Sequence, residues 1–171
     1  YDFGTAEGVP YLTMEYIDGK PLSVQIAQRA PLAVSKSVSV LLAICQGLSA
    51  AHQAGVLHRD LKPANVLVSC QGRVVLSDFG IAAVKRDLEE CDPDEDGFQG
   101  TPHYISPEQV RGRQHLDERA DVYALGVMAY ELLTGERPWS GEDAMSLALA
   151  RVESPFEEVC REVERRNAVQ D

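Results

Sequence analysis

Apolar residues follow two rhythms along this chain. Val66-Leu67-Val68 and Val74-Val75-Leu76 are short continuous runs separated by Gln71-Gly72, the pattern of two strands joined by a tight turn. Val56-Leu57 is a further short run, and Val9 to Ile17 reads as a strand ended by Asp18-Gly19. Elsewhere the spacing widens to three and four. Val38, Leu41, Leu42, Cys45, Leu48 and Ala51 predict a helix over 35–54, stopped by Gly55. Val122, Leu125, Met128, Ala129, Leu132 and Leu133 predict another over 117–134, closed by Gly135. Asp117, Glu118 and Asp121 suit the positive N-terminal end of that helix. Shorter helices are expected over 21–29, with Pro21 at its start, and over 142–152. A last amphipathic stretch carries Phe156, Val159, Cys160 and Val163. The class is α+β, mainly α.

Composition narrows the picture only modestly. A length of 171 residues fits one domain, and 44% hydrophobic residues suffice for a core. The net charge of −11 argues against nucleic acid or an anionic membrane surface as main partner. Cys45, Cys70, Cys91 and Cys160 show no paired spacing, so reduced thiols and a cytoplasmic setting are expected. The longest uncharged stretch, 37–57, contains Gln46, His52 and Gln53 and reads as a buried helix with no membrane contact. The chain starts at Tyr1 without a basic and apolar leader, which suggests a piece of something longer.

The chemistry-bearing residues concentrate in His58-Arg59-Asp60-Leu61-Lys62-Pro63-Ala64-Asn65, with Asp78-Phe79-Gly80 following 13 residues after Asn65. A hairpin built on 66–68 and 74–76 brings Asn65 and Asp78 to one edge. Phosphoryl transfer needs a carboxylate near the attacking hydroxyl, metal ligands and a cation for the transferred charge. Asp60 suits the first task, Asn65 and Asp78 the second, and Lys62 the third. A carboxylate and an amide are the hard oxygen donors that Mg²⁺ prefers. Taken singly, Asp78, two residues before a glycine, is an ordinary turn residue and His58 an ordinary core histidine.

These motifs resemble the protein kinase family, and among its members the bacterial, eukaryotic-like Ser/Thr kinases. The resemblance runs from about Tyr1 to about Ala150 and rests also on Gly100-Thr101-Pro102-His103-Tyr104-Ile105-Ser106-Pro107-Glu108, similar to the end of a kinase activation segment, with Ser106 where Ala is commoner. It implies transfer of phosphate from ATP, with Mg²⁺, to Ser or Thr hydroxyls of protein substrates. Asp60 is then the base, Lys62 lies on the transferred phosphate, and Thr101 bonds both. Asn65 and Asp78 hold Mg²⁺. Met14 sits behind the adenine pocket, backbone groups of Glu15 and Ile17 meet the adenine edge, and Ala64 and Leu67 complete the nucleotide site. His58, Arg59, Phe79, Gly80, Glu108 and Asp121 have structural or regulatory parts; Asp121 is expected to bond the backbone of the catalytic loop.

The same resemblance says what the 171 residues lack. They contain no glycine-rich phosphate loop, no strand lysine for the phosphates and no helix glutamate to hold it. Residues 1–19 are expected to be the last small-lobe strands and hinge, and 20–171 a large lobe truncated before its last helices, the small lobe being largely absent. A large-lobe fragment of this kind is expected to be inactive alone. The alternatives are a non-catalytic scaffold on the same fold and a small-molecule phosphotransferase, against which Lys62 and the 100–108 segment argue. The family pairs the glutamate at Glu108 with an arginine; Arg165 and Arg166 are the candidates here, and neither sits in the expected motif. The loop 81–100 has no Ser, Thr or Tyr but seven acids, among them Glu89, Glu90, Asp92, Asp94, Glu95 and Asp96. Either these meet Arg59 in place of a phosphorylated residue, or they are solvated charge.

Overall fold

The computed structural model describes residues 2–6, 9–79, 103–112, 116–139, 146, 147, 150 and 152. Strands β1 (Asp2–Ala6) and β2 (Val9–Thr13) pair antiparallel, Gly4 opposite Tyr11. The strand expected to reach Ile17 stops at Thr13, and 14–18 runs on without ladder partners. Val9, Tyr11, Met14 and Tyr16 are exposed.

A second sheet has the order β3 (Gly19–Pro21), β4 (Val66–Ser69), β5 (Val74–Leu76), all antiparallel. The expected hairpin is present, its turn carrying Gly72 at φ 85°. Strand β3 was not foreseen, because Gly-Lys-Pro places two poor strand formers in three residues. Gly19 is what makes the pairing possible: a Cβ there would lie 2.3 Å from the Val68 carbonyl oxygen.

Helix α1 (Leu22–Arg29) follows, with Leu22 buried, and then the long α2 (Val34–Gln53). By length and composition α2 is apolar enough to cross a membrane, with a mean hydropathy of 1.4 over its central window. It packs instead on β5 and on α4 (Arg119–Thr134). Its buried face corrects the sequence expectation. Ser37, Val40, Ile44 and Leu48 are buried, whereas Val38, Leu42 and Cys45 are exposed. Gly47 lies where α2 meets β5, so close that an added Cβ would be 3.0 Å from Leu76 Cδ1.

Helix α4 begins two residues later than expected. Asp117 precedes it and accepts from the Arg119 amide at 3.0 Å. Its buried positions are Ala120, Asp121, Ala124, Val127, Met128, Glu131 and Leu132, while Val122 and Leu133 face outward. Gly135 ends it in the left-handed conformation, at φ 79°, as glycine permits. The core joins Val40, Ile44 and Leu48 of α2 to Ala124, Met128 and Leu132 of α4, with Leu22, Leu61, Val66 and Val68 against them. Each fully buried side chain of this size contributes roughly 1.5–3 kcal/mol. The short helix α3 (Pro107–Val110) precedes α4 in the chain. The described residues of 142–152 are helical, and Leu147 packs with Val127 and Trp139.

Candidate active site

Between α2 and the 3₁₀ turn at 63–65 that leads into β4, residues 56–62 adopt no helix or strand, and side chains from elsewhere shape them. Asp121, on the first turn of α4 and 2% exposed, supplies the main anchor. Its carboxylate accepts the His58 amide on Oδ2 and the Arg59 amide on Oδ1, both at 2.9 Å, and His52 Nε2 sits 2.8 Å from Oδ2. The expected bond from Asp121 to the loop backbone is therefore present. His52 is an additional participant that no motif had indicated.

Arg59 has φ 64° and Asp78 φ 61°, both in the left-handed region. Such a conformation costs a residue with a Cβ about 1–2 kcal/mol, less for Asp. Arg59 is kept there because each of its backbone polar groups is bonded. The amide meets Asp121, and the carbonyl accepts from Gln109 Nε2 at 2.9 Å. The Arg59 side chain points to solvent; the acids at 87–96 lie outside the described residues.

Asp60 comes next, half-buried. Lys62 Nζ donates to its Oδ2 at 2.7 Å, and Asn65 Nδ2 donates to the same oxygen at 3.0 Å and to the Asp60 carbonyl at 2.8 Å. A 3₁₀ turn, Pro63–Asn65, positions that amide, with Pro63 opening the turn and Ala64 exposed on it. Asn65 is buried, and the Ser77 amide donates to its carbonyl at 2.9 Å, so β5 delivers Asp78 to the Asn65 end of the hairpin as the spacing predicts. Ser77 Oγ donates to Asp78 Oδ2 at 3.1 Å.

His58 is fully buried with its ring against Phe79, centroids 4.5 Å apart. Among the described residues neither ring nitrogen makes a well-formed hydrogen bond, although the His58 and Ser77 carbonyls lie nearby. Desolvation holds its pKa below the ordinary value; the His58 and Ser77 carbonyls and the charges of Asp121 and Asp60 oppose this without reversing it.

Other candidates are more scattered. Met14 is exposed, Ile17 and Leu67 are half-buried, and the Glu15 carboxylate forms a bidentate pair with Arg73 beyond the Gly72 turn. That pair holds its carboxyl below the usual range. Thr101, Gly80, Arg165 and Arg166 lie outside the described residues. Glu108 is half-buried. Tyr104 donates its hydroxyl to buried Glu131 of α4, which holds the 103–106 segment onto that helix. A small cleft beside Asp60 is lined by Arg59, Lys62, Tyr104, Ile105 and Gln109.

Sequence reasoning had passed over Gln109. The signal was there, because Ser106-x-x-Gln109 is the spacing of a capping box. Chemically, the arrangement offers one carboxylate carrying a cation and an amide on a single oxygen. An amide–carboxylate pair, Asn65 and Asp78, stands at the neighbouring hairpin edge.

Known proteins resemble this sequence. The model of the protein kinase domain matches residues 1–169. The chain is 40% identical over 156 residues to serine/threonine-protein kinase PknB of Mycobacterium tuberculosis (strain ATCC 25618 / H37Rv), covering 89% of this chain and 25% of that protein. It is 42% identical over 148 residues to the probable serine/threonine-protein kinase PknB of Lactococcus lactis subsp. lactis, covering 86% and 23%. With serine/threonine-protein kinase PknL of Mycobacterium tuberculosis (strain ATCC 25618 / H37Rv) the identity is 43% over 155 residues, covering 90% and 38%. The chain thus spans about a quarter to two fifths of the length of these relatives. With a domain match over nearly its whole length, the chain belongs to the protein kinase family.

Proposed function

We propose that this chain is the catalytic-loop part of a Ser/Thr protein kinase, in which Asp60 accepts the proton of a substrate hydroxyl. The observation that carries the reading is the shared oxygen: Asp60 Oδ2 is held by both Lys62 and Asn65, which fixes the carboxylate and sets a cation beside it. Lys62 would leave this contact partly for the transferred phosphate. The 40–43% identity to proteins named serine/threonine-protein kinases supports the substrate class.

The donor set fits Mg²⁺. Asn65 and Asp78 are hard oxygen donors brought to one hairpin edge, and the described residues hold no cluster of three or more His, Cys, Asp or Glu. Two protein ligands are what an ion that keeps several waters and phosphate oxygens asks for. When bound, Mg²⁺ and ATP supply the phosphoryl group and neutralise its charge. Asp60 takes the proton, Asn65 keeps Asp60 oriented, and Asp121 keeps the loop in shape.

The 171 residues hold no glycine-rich phosphate loop, β1 and β2 carry no lysine, and the exposed Val9, Tyr11, Met14 and Tyr16 present apolar surface suited to a covering lobe. The chain alone is accordingly expected to turn over at least about 10²-fold more slowly than the full-length protein carrying it, since removing one preorganised donor already costs that much. In the full-length protein, Asp60→Asn should lower kcat roughly 10²–10⁴-fold while nucleotide still binds. Asp78→Asn should instead weaken Mg²⁺-dependent nucleotide binding. Near-normal turnover in Asp60→Asn removes Asp60 as the base.

A further inference from the structure

We infer that Gln109 is a positioning residue for the loop that carries Asp60, and that its two ends join the 103–112 segment to that loop. The inference rests on the reading of Asp60 as base and names a further residue on which that role depends.

The geometry comes from one carboxamide used at both ends. Gln109 Oε1 accepts from the Ser106 amide at 3.0 Å, and Ser106 Oγ accepts from the Gln109 amide at 3.4 Å, so the pair forms a capping box at the start of α3. Ser106 is fully buried, which fixes the base of the arrangement. The other end, Nε2, donates to the Arg59 carbonyl at 2.9 Å, 50 residues away in sequence. Arg59 immediately precedes Asp60 and is held at φ 64°. Its carbonyl belongs to the peptide unit that enters Asp60, so rotation of that unit moves the Asp60 Cα and the carboxylate with it. Asp121 holds the amide on one side of Arg59, and Gln109 holds the carbonyl on the other. With one clamp lost, the left-handed residue can relax toward an ordinary conformation.

Donor and acceptor roles are fixed here by the partners. An oxygen must face the Ser106 N–H and an N–H must face the Arg59 C=O. Glutamate at 109 keeps the first contact, and is the usual partner in a capping box. It cannot make the second, because a carboxylate oxygen would face a carbonyl oxygen. Gln109→Glu therefore separates capping from positioning, which Gln109→Ala does not.

The test uses the full-length protein, with kcat and the KM for ATP and for a Ser/Thr peptide measured for Gln109→Glu, Gln109→Ala and Asp60→Asn, and melting followed for each. Gln109→Glu should melt no more than about 6 °C below the parent and keep its KM for ATP, while kcat falls about tenfold, the size of one lost orienting hydrogen bond with repulsion added. Gln109→Ala should lose similar activity and melt lower. Parental kcat in Gln109→Glu overturns the inference. So does a loss of activity that tracks the unfolded fraction at the assay temperature. If Asp60→Asn is severely impaired while Gln109→Glu is not, the base assignment stands and only Gln109 is wrong. If Asp60→Asn turns over normally, both fail.

Discussion

Changing Asp121 to Asn is nearly isosteric, yet the structure says which bond it breaks. Three donors meet this carboxylate: the His58 amide and His52 Nε2 share Oδ2, and the Arg59 amide has Oδ1 to itself. Asn has one acceptor oxygen. Placed at Oδ2 it keeps two partners, so the amide nitrogen falls at Oδ1 and confronts the Arg59 N–H, donor against donor. The loss is one charge-assisted bond plus a buried amide without a partner, each about 1–3 kcal/mol, less the strain of about 1 kcal/mol that Arg59 sheds on leaving φ 64°. The net is about 3 kcal/mol, which is large beside a total stability of roughly 5–15 kcal/mol. For a domain of 150–250 residues this lowers Tm by about 6–12 °C. Because the released residue precedes Asp60, kcat should fall about tenfold or more even well below Tm. Calorimetry and steady-state kinetics on the full-length protein check both. A variant within about 0.5 kcal/mol of the parent and fully active would refute the reasoning, since it would mean the carboxylate does not restrain the loop.

His58 and Gly135 give further tests. His58 has a depressed folded pKa, so the unfolded chain binds a proton that the native state refuses; stability should fall as pH drops below about 6.5, by up to about 1.4 kcal/mol per pH unit. His58→Phe keeps the packing on Phe79 and leaves no ring nitrogen to protonate, so its melting curve should lose that acid sensitivity; an unchanged pH profile would contradict this. Gly135→Ala forces a Cβ to 3.1 Å from Pro31 N at φ 79°, and denaturant unfolding should register a loss of about 1–2 kcal/mol or more.

How much of this was legible in the sequence differs by level. The hairpin was, because Gly72 and two short apolar runs leave few other ways to fold 66–76, and its register then delivers Asp78 to Asn65. The existence of α2 and α4 was legible from periodicity, but their buried faces were not. Ser37 is buried and Leu42 is exposed, which hydrophobicity alone ranks the other way. The buried face is the one that meets β5 and α4, and such packing is a property of pairs of elements. Strand β3 was hidden for a related reason: Gly19 looks like a turn residue until its partner strand is known. Within the site, the roles assigned to single residues came from motif spacing. The contacts that hold those residues, from His52, Asp121 and Gln109, span 50 to 69 positions, and only that of Asp121 had been indicated by resemblance.

The double occupation of Asp60 Oδ2 makes the two oxygens of this carboxylate unequal. Lys62 and Asn65 occupy one, and no hydrogen bond reaches the other among the described residues. A free carboxylate is a symmetric acceptor that a hydroxyl can approach from either lobe. This one has a front and a back. On the proposed role of Asp60, a hydroxyl arriving at Oδ1 would meet lone pairs that neither Lys62 nor Asn65 has taken, whereas one arriving at Oδ2 would meet an ammonium and an amide already in place. Direction of approach would then act as a selection rule in itself, ahead of any side-chain recognition.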